Sequence, residues 1–203
     1  MSDFSKTKLQ FHLPKGMIYL DGNSLGPLPK KAQERIQHTL NKEWGEMLVT
    51  GWNKAGWMEQ PNKVGDRIAK LIGATSKTVT VGDTLSIKVF QALASATNYQ
   101  KHRKVLLTDS SNFPSDIYAA QGLVNMLQDD YQVKIVSTDD LIDNINENVA
   151  AVFFTEVDYK TGHRYDAKKV IKAAKQNGSL VILDLAHSAG AIDTNLTELE
   201  VDL

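Results

Sequence analysis

No cysteine occurs among the 203 residues, which excludes disulfides, thiolate metal sites and a cysteine nucleophile and fits a reducing compartment. Charge of one sign is also missing: 23 Lys and Arg stand against 24 Asp and Glu. No broad field exists to hold a polyanion, and no basic run is interleaved with aromatics, so nucleic acid is not an expected partner. The opening MSDFSKTKLQFHLPKG lacks the apolar stretch of a signal peptide, and no apolar run approaches membrane-spanning length. These absences predict a soluble, cytoplasmic protein with no membrane partner. What is present is ordinary globular material, 42% hydrophobic and 23% charged, enough to bury one substantial core.

Strand and helix patterns alternate along the chain. A short apolar strand is expected over 17–20, before a loop rich in Asp, Gly, Asn, Ser and Pro. Ile36, Leu40, Trp44, Met47 and Leu48 recur at helical spacing and predict one long amphipathic helix over about 30–49. A second helix runs from Asn62 and stops at Gly73. Strands are then expected over 78–81, 104–107, 131–136, 149–155 and 180–183, separated by helices over 84–97, 115–127, 138–145 and 166–175. Several of these strands are wholly apolar rather than alternating, which argues for a mainly parallel sheet covered on both faces, an α/β three-layer sandwich.

In such sheets ligands sit beyond the carboxyl ends of the strands, so the loops GDTLS, TDSSNFPSD, TEVDYKTGHRYD and DLAHSAG carry the chemistry. In the first, Thr84 and Ser86 stand at the start of a helix, where free amides and the helix dipole can cradle a phosphate ester; alternatively Thr84 only caps the helix. The loop has neither a P-loop nor a G-x-G-x-x-G pattern, which argues against nucleotides. In the second, Phe113 precedes Pro114 and is biased to an extended conformation, with Ser115 and Asp116 opening the next helix. Phe113 either staples that helix to the core or offers a flat face to a planar ring. In the last, Asp184 ends an apolar strand three residues before His187. A buried carboxylate there is costly unless it meets a cation or hydrogen-bond donors. A pyridinium nitrogen is one such cation; Asp184 capping the next turn while His187 packs is the other reading. Asp-x-x-His as a metal pair is weaker, because no further ligand stands at a matching spacing.

The strand-end DLAH, with NFPSD, DTLS, DYKTGHRYD and the early YLDGNSLGPLP in this order, resembles the kynureninase family of pyridoxal-5'-phosphate enzymes, within the fold-type I aminotransferase superfamily. The resemblance runs from about Met17 to Leu203. It implies that Leu85 and Ser86 hold the cofactor phosphate, that Phe113 stacks on the pyridine ring with Pro114, Ser115 and Asp116 beside it, and that Thr155 lies near the phenolic oxygen. It further implies that Asp184 keeps the ring nitrogen protonated with His187 close by, and that Trp52, Asn23 and Ser24 belong to the substrate side. The implied reaction is hydrolysis of L-kynurenine to anthranilate and L-alanine, or of the 3-hydroxy form to 3-hydroxyanthranilate, in tryptophan catabolism and NAD biosynthesis, by a homodimer.

The implied division is an N-terminal segment over 1–60 and part of the large cofactor-binding domain over 61–203. The family's Schiff-base lysine follows the DLAH strand by one further strand, so it is expected beyond Leu203; Lys88 and Lys160 do not take its place. The 203 residues are accordingly expected to correspond to the N-terminal part, without the small C-terminal domain, and to be inactive alone. Another fold-type I enzyme, desulfurase-like or class-V-aminotransferase-like, and a non-catalytic binding domain are the alternatives.

Overall fold

The computed structural model describes residues 4–127 and 130–203. The chain divides into two compact units, Met1–Lys63 and Val64–Leu203.

The first unit opens with α1 (Ser5–Lys8) and a two-residue antiparallel ladder, β1 (Phe11–His12) on β2 (Leu28–Pro29). The strand expected over 17–20 does not form. Ile18 and Leu20 are 85% and 87% exposed, and among the described residues the segment meets no neighbouring strand whose amides and carbonyls could complete a ladder. The long helix expected over 30–49 is also corrected. It begins as α2 (Lys30–His38) but widens into π-helical turns over Thr39–Trp44, followed by a 3₁₀ turn over Leu48–Thr50. Glu43 supplies the reason. It is 5% exposed, and its carboxylate accepts from the Arg35 guanidinium and, at 2.9 Å, from the Trp57 indole N–H. Wider turns bring Glu43 round to the side of Arg35, and the charge-assisted bonds offset the poorer helix geometry. The Arg35 bond first, and Trp57 next, hold the Glu43 carboxyl down at about 2. α3 (Gly51–Lys54) and a 3₁₀ turn over Trp57–Glu59 complete the unit.

The second unit carries most of α4 (Gln60–Leu71), then α5 (Leu85–Tyr99), β3 (Val105–Asp109), α6 (Pro114–Leu127), β4 (Gln132–Val136), β5 (Val149–Thr155), α7 (Ala167–Gln176), β6 (Leu180–Asp184) and α8 (Leu196–Leu199). The four strands form one parallel sheet in the order β4-β3-β5-β6. Side-chain alternation sorts the core into two layers. Leu106, Phe153 and Ile182 face one side with Val89 and Leu93 of α5 and Ala120 and Leu123 of α6. Leu107, Val152, Phe154, Val181 and Leu183 face the other, against Val170, Ile171 and Ala174 of α7. Helices on both faces of a parallel sheet make the predicted α/β three-layer sandwich.

Two expected elements are corrected here. Residues 78–81 form no ladder among the described residues; they pack over α4 instead, at Gly65, where a Cβ would lie 1.9 Å from the Val79 carbonyl oxygen. The free edge of β6 takes the backbone of Leu203, whose N–H donates to Val181 at 3.1 Å and whose carbonyl accepts from Leu183 at 3.0 Å. Residues 138–145 make turns and one 3₁₀ segment, Ile142–Asn144, rather than a helix. Ser137 and Asp140 bond each other by side chain, and the Asn144 amide turns back to the Asp140 carbonyl, so local side-chain bonds compete with helix propagation. Gly73, at φ +62°, closes α4 against Asn195, whose Cα would lie 2.6 Å from any Cβ there. Among the described residues no helix is long and apolar enough to cross a membrane.

Candidate active site

The chain leaves β3 toward β4 on one side, then crosses to β5 and β6 on the other. The carboxyl ends of β3 and β5 therefore flank the point where strand order reverses, which opens a crevice in sheets of this kind. Three loops meet there, from Asp109, Thr155 and Asp184 at the ends of β3, β5 and β6.

Asp184 is 7% exposed. Its Oδ1 accepts from the Ala186 amide at 2.7 Å, whereas its Oδ2 is buried without a partner among the described residues. Burial raises its pKa, against the Ala186 amide and the nearby His187 ring, which pull it down. Asp116, in the first turn of α6, is 1% exposed; burial first and the Asp184 charge second push its carboxyl up to about 6. The two acids share a cavity of about 170 Å³ with Leu85, Lys88, Phe153 and Leu203. Such a pocket, with one orphaned carboxylate oxygen and two carboxyls held above their usual range, calls for a cation.

The start of α5 lines the same cavity through Leu85 and Lys88. Thr84 occupies the N-cap position in an extended conformation, but its side chain makes no capping bond. The first-turn amides at Leu85 and Ser86 are thus left without the side-chain acceptor that usually covers a helix start, an arrangement that favours an anionic ligand. Lys88 is engaged by Gln91 at 3.0 Å, and Lys160 lies over the Tyr159 ring, 5.3 Å from its centroid.

Three rings gather from the three loops. Phe113, whose amide is fixed by the Asn112 side chain at 2.7 Å, meets Tyr159 edge-on at 4.8 Å and His187 at 6.1 Å. Pro114 opens α6, and the Ser115 hydroxyl reaches Asp116 at 3.4 Å. The Thr155 hydroxyl donates to the Val157 carbonyl at 3.0 Å and keeps its lone pairs for an incoming donor, while its rotatable proton can be exchanged to a stronger acceptor. The second unit therefore holds Leu85, Ser86, Phe113, Pro114, Ser115, Asp116, Thr155, Asp184 and His187. Asn23, Ser24 and Trp52 belong to the first, where Trp52 packs edge-on against Trp57 at 5.9 Å and the Ser24 amide donates to the Asp21 carbonyl. Among the described residues no three metal-ligating side chains converge.

Sequence reading passed over two residues here. Glu156, 1% exposed, accepts from Arg164 at 2.8 Å and from the Thr194 hydroxyl at 2.9 Å, tying the loop after β5 to the one after β6. A carboxylate closing an apolar strand, the same signal that drew notice to Asp184, was present at Glu156. Asp109, fully buried, accepts from the Ser111 amide at 2.8 Å and the Tyr165 hydroxyl at 3.0 Å and shapes the loop carrying Phe113.

Asp116 has a consequence for stability. A carboxyl whose folded pKa lies above its ordinary 3.8 destabilises the fold once ionised, so this penalty is absent below about pH 4 and fully present above about 6. Asp116→Asn is therefore expected to gain on the parent as pH rises through that window, by about 1–2 kcal/mol at pH 7 after allowance for screening. Urea midpoints at pH 4 and 7.5 check this; an equal difference at both pH values contradicts it.

Residues 18–203 match the family model described as aminotransferase class-V. A kynureninase of Burkholderia mallei (strain SAVP1) is 44% identical over 192 residues, covering 92% of this chain and 46% of that one. A kynureninase of Pseudomonas fluorescens is 43% identical over 198 residues, covering 95% and 48%. The chain thus spans about half the length of the curated relatives it matches. Among solved structures, a C-DES mutant with glycine covalently linked to its PLP cofactor superposes with a TM-score of 0.71 at 16% identity, over 100% of this chain and 54% of that one. At that identity the likeness shows the fold alone.

Proposed function

The chain belongs to the class-V aminotransferase family, and from that premise we propose that it supplies the phosphate-binding and ring-binding part of a pyridoxal-5'-phosphate-dependent kynureninase. The observation that carries the reading is Asp184: a buried carboxylate with one oxygen unpartnered among the described residues, in a cavity it shares with the first turn of a helix that no side chain caps. A heteroaromatic cation bearing a phosphate satisfies both groups at once. The Leu85 and Ser86 amides and the Ser86 hydroxyl would take the phosphate, Phe113 and His187 would bound the ring, and Asp184 would hold the proton on its nitrogen.

When bound, the cofactor supplies an electron sink for carbanionic charge at the substrate's α-carbon. This chain's residues make that possible by keeping the ring nitrogen charged and by excluding water from the Asp184 side. Thr155 offers a hydroxyl that can accept from or donate to the ring substituent beside it, and Asp116 keeps its own proton near neutral pH more readily than an exposed carboxyl does. Among the described residues none is assigned as the covalent anchor. The substrate assignment, L-kynurenine or its 3-hydroxy form, rests on the relatives at 43–44% identity, with Trp52, Asn23 and Ser24 as candidate substrate contacts. The reading extends to a homodimeric cytoplasmic protein of tryptophan catabolism; in favour of a protein partner stand the exposed apolar side chains Ile18, Leu20, Leu25 and Trp44.

Absorbance titration with pyridoxal 5'-phosphate tests the cofactor, and equilibrium dialysis of L-kynurenine against L-aspartate on the loaded protein tests the substrate. Saturable cofactor binding followed by selective retention of L-kynurenine is expected. Absence of cofactor binding at millimolar concentration overturns the first assignment, and equal retention of the two amino acids overturns the second.

A further inference from the structure

The loop after β5 is held in shape by bonds that do not involve the Tyr159 side chain. The Asp158 carboxylate, 6% exposed, accepts from the Lys160 and Thr161 amides at 2.6 and 2.9 Å. Burial works against its ionisation, but those two amides keep its carboxyl below the usual range. The Gly162 amide donates to the Asp158 carbonyl at 2.9 Å, with Gly162 at φ +71°, and Val157 bridges to Arg164 across the turn. Glu156 and Arg164 close its base.

The Tyr159 side chain belongs to none of these bonds. Half-buried, it projects from the turn into the ring cluster, 4.8 Å from Phe113 at 64° and 6.3 Å from His187 at 27°. Both separations lie within the range in which aromatic rings attract. The turn thus brings a flat face beside Phe113 and His187, and His187 lies close enough to Asp184 to lower its pKa.

We infer that Tyr159 is a ring-positioning residue, completing with Phe113 and His187 an aromatic wall that holds a planar heteroaromatic ring over Asp184. This rests on the function proposed above and deepens it: the wall sets the tilt of the bound ring, whereas the start of α5 sets the position of its phosphate. The aromatic face carries the contact, so the hydroxyl is dispensable.

The test titrates the chain with pyridoxamine 5'-phosphate, which needs no covalent anchor, following the probe's fluorescence and induced circular dichroism, with inorganic phosphate as competitor. Tyr159→Ala and Tyr159→Leu are expected to weaken probe binding by about three- to ten-fold and to diminish the induced dichroism. Tyr159→Phe restores both, and the inhibition constant of inorganic phosphate stays unchanged throughout. Leu retains bulk without a flat face, and the phosphate constant reports an intact fold, so lost packing is separated from a lost wall. Wild-type affinity and dichroism in the Ala and Leu variants overturn this inference and leave the proposed function standing. Parallel loss of probe and phosphate also overturns it, since the effect is then collapse of the loop. No probe binding by the parent chain overturns the proposed function and the inference with it.

Discussion

Asp184→Asn is expected to weaken pyridoxamine 5'-phosphate binding near neutral pH by about 100-fold or more, while making the chain's own stability less sensitive to pH. The two effects have one origin. Asp184 Oδ2 is buried without a partner among the described residues, so in the absence of a cation the ionised carboxylate is a liability, and burial raises its pKa accordingly. A raised folded pKa means a penalty absent at low pH that grows as the group ionises. Asn keeps the oxygen that accepts from Ala186 and removes the charge, so the variant should gain on the parent between acidic and neutral pH. With a ring cation present the sign reverses, because removing one partner of a buried ion pair costs about 3–5 kcal/mol, more than 100-fold in affinity. Fluorescence titration and urea denaturation at two pH values read the two halves. A variant that binds the probe within about threefold of the parent would sink the role assigned to Asp184. Function at such a site is retained at the expense of stability.

Glu156→Ala carries the largest expected cost to the fold itself, about 2–3 kcal/mol. The carboxylate is 1% exposed and holds Arg164 and Thr194. Its removal leaves the half-exposed Arg164 guanidinium to water and the buried Thr194 hydroxyl without its acceptor, and it unties two of the three loops at the crevice. Glu156→Gln keeps the shape and an acceptor for either partner, so its cost should be smaller, about 1–2 kcal/mol. Chemical denaturation of the two variants distinguishes them. Near-parental stability of Glu156→Ala would show that the Arg164 and Thr194 bonds only replace water and contribute little.

Much of the sheet was legible because three of its four strands, β3, β5 and β6, are buried on both faces. The run Val149–Phe154 is wholly apolar and with Thr155 forms β5, and Leu180–Asp184 differs from expectation only in including the aspartate. Burial on two sides leaves no polar alternation to misread. The apolar run at 17–20 and the β-branched stretch TVTV at 78–81 also carried a local strand signal and form no ladder among the described residues, since pairing depends on a partner that no local pattern reveals. The helix over 30–49 went astray for a similar reason: its apolar spacing is regular, but Glu43 is drawn to Arg35 and to Trp57, fourteen residues on.

At the crevice, the residue types spoke plainly where a costly group sat in an apolar context. Asp184 was legible because a carboxylate closing a buried strand demands a partner. Tyr159 was not, because a tyrosine in a polar turn is unremarkable until Phe113 and His187, distant in sequence, are seen beside it.

By itself the amino-acid sequence determined the α/β class, the strand-end loops and the kinds of group available there, because hydrophobic period and local backbone chemistry act over a few residues. Only the tertiary structure decided which of those groups meet. The order β4-β3-β5-β6 brings Asp116 beside Asp184 and Glu156 beside Thr194, and crossover connections set such neighbours by packing across the whole sheet.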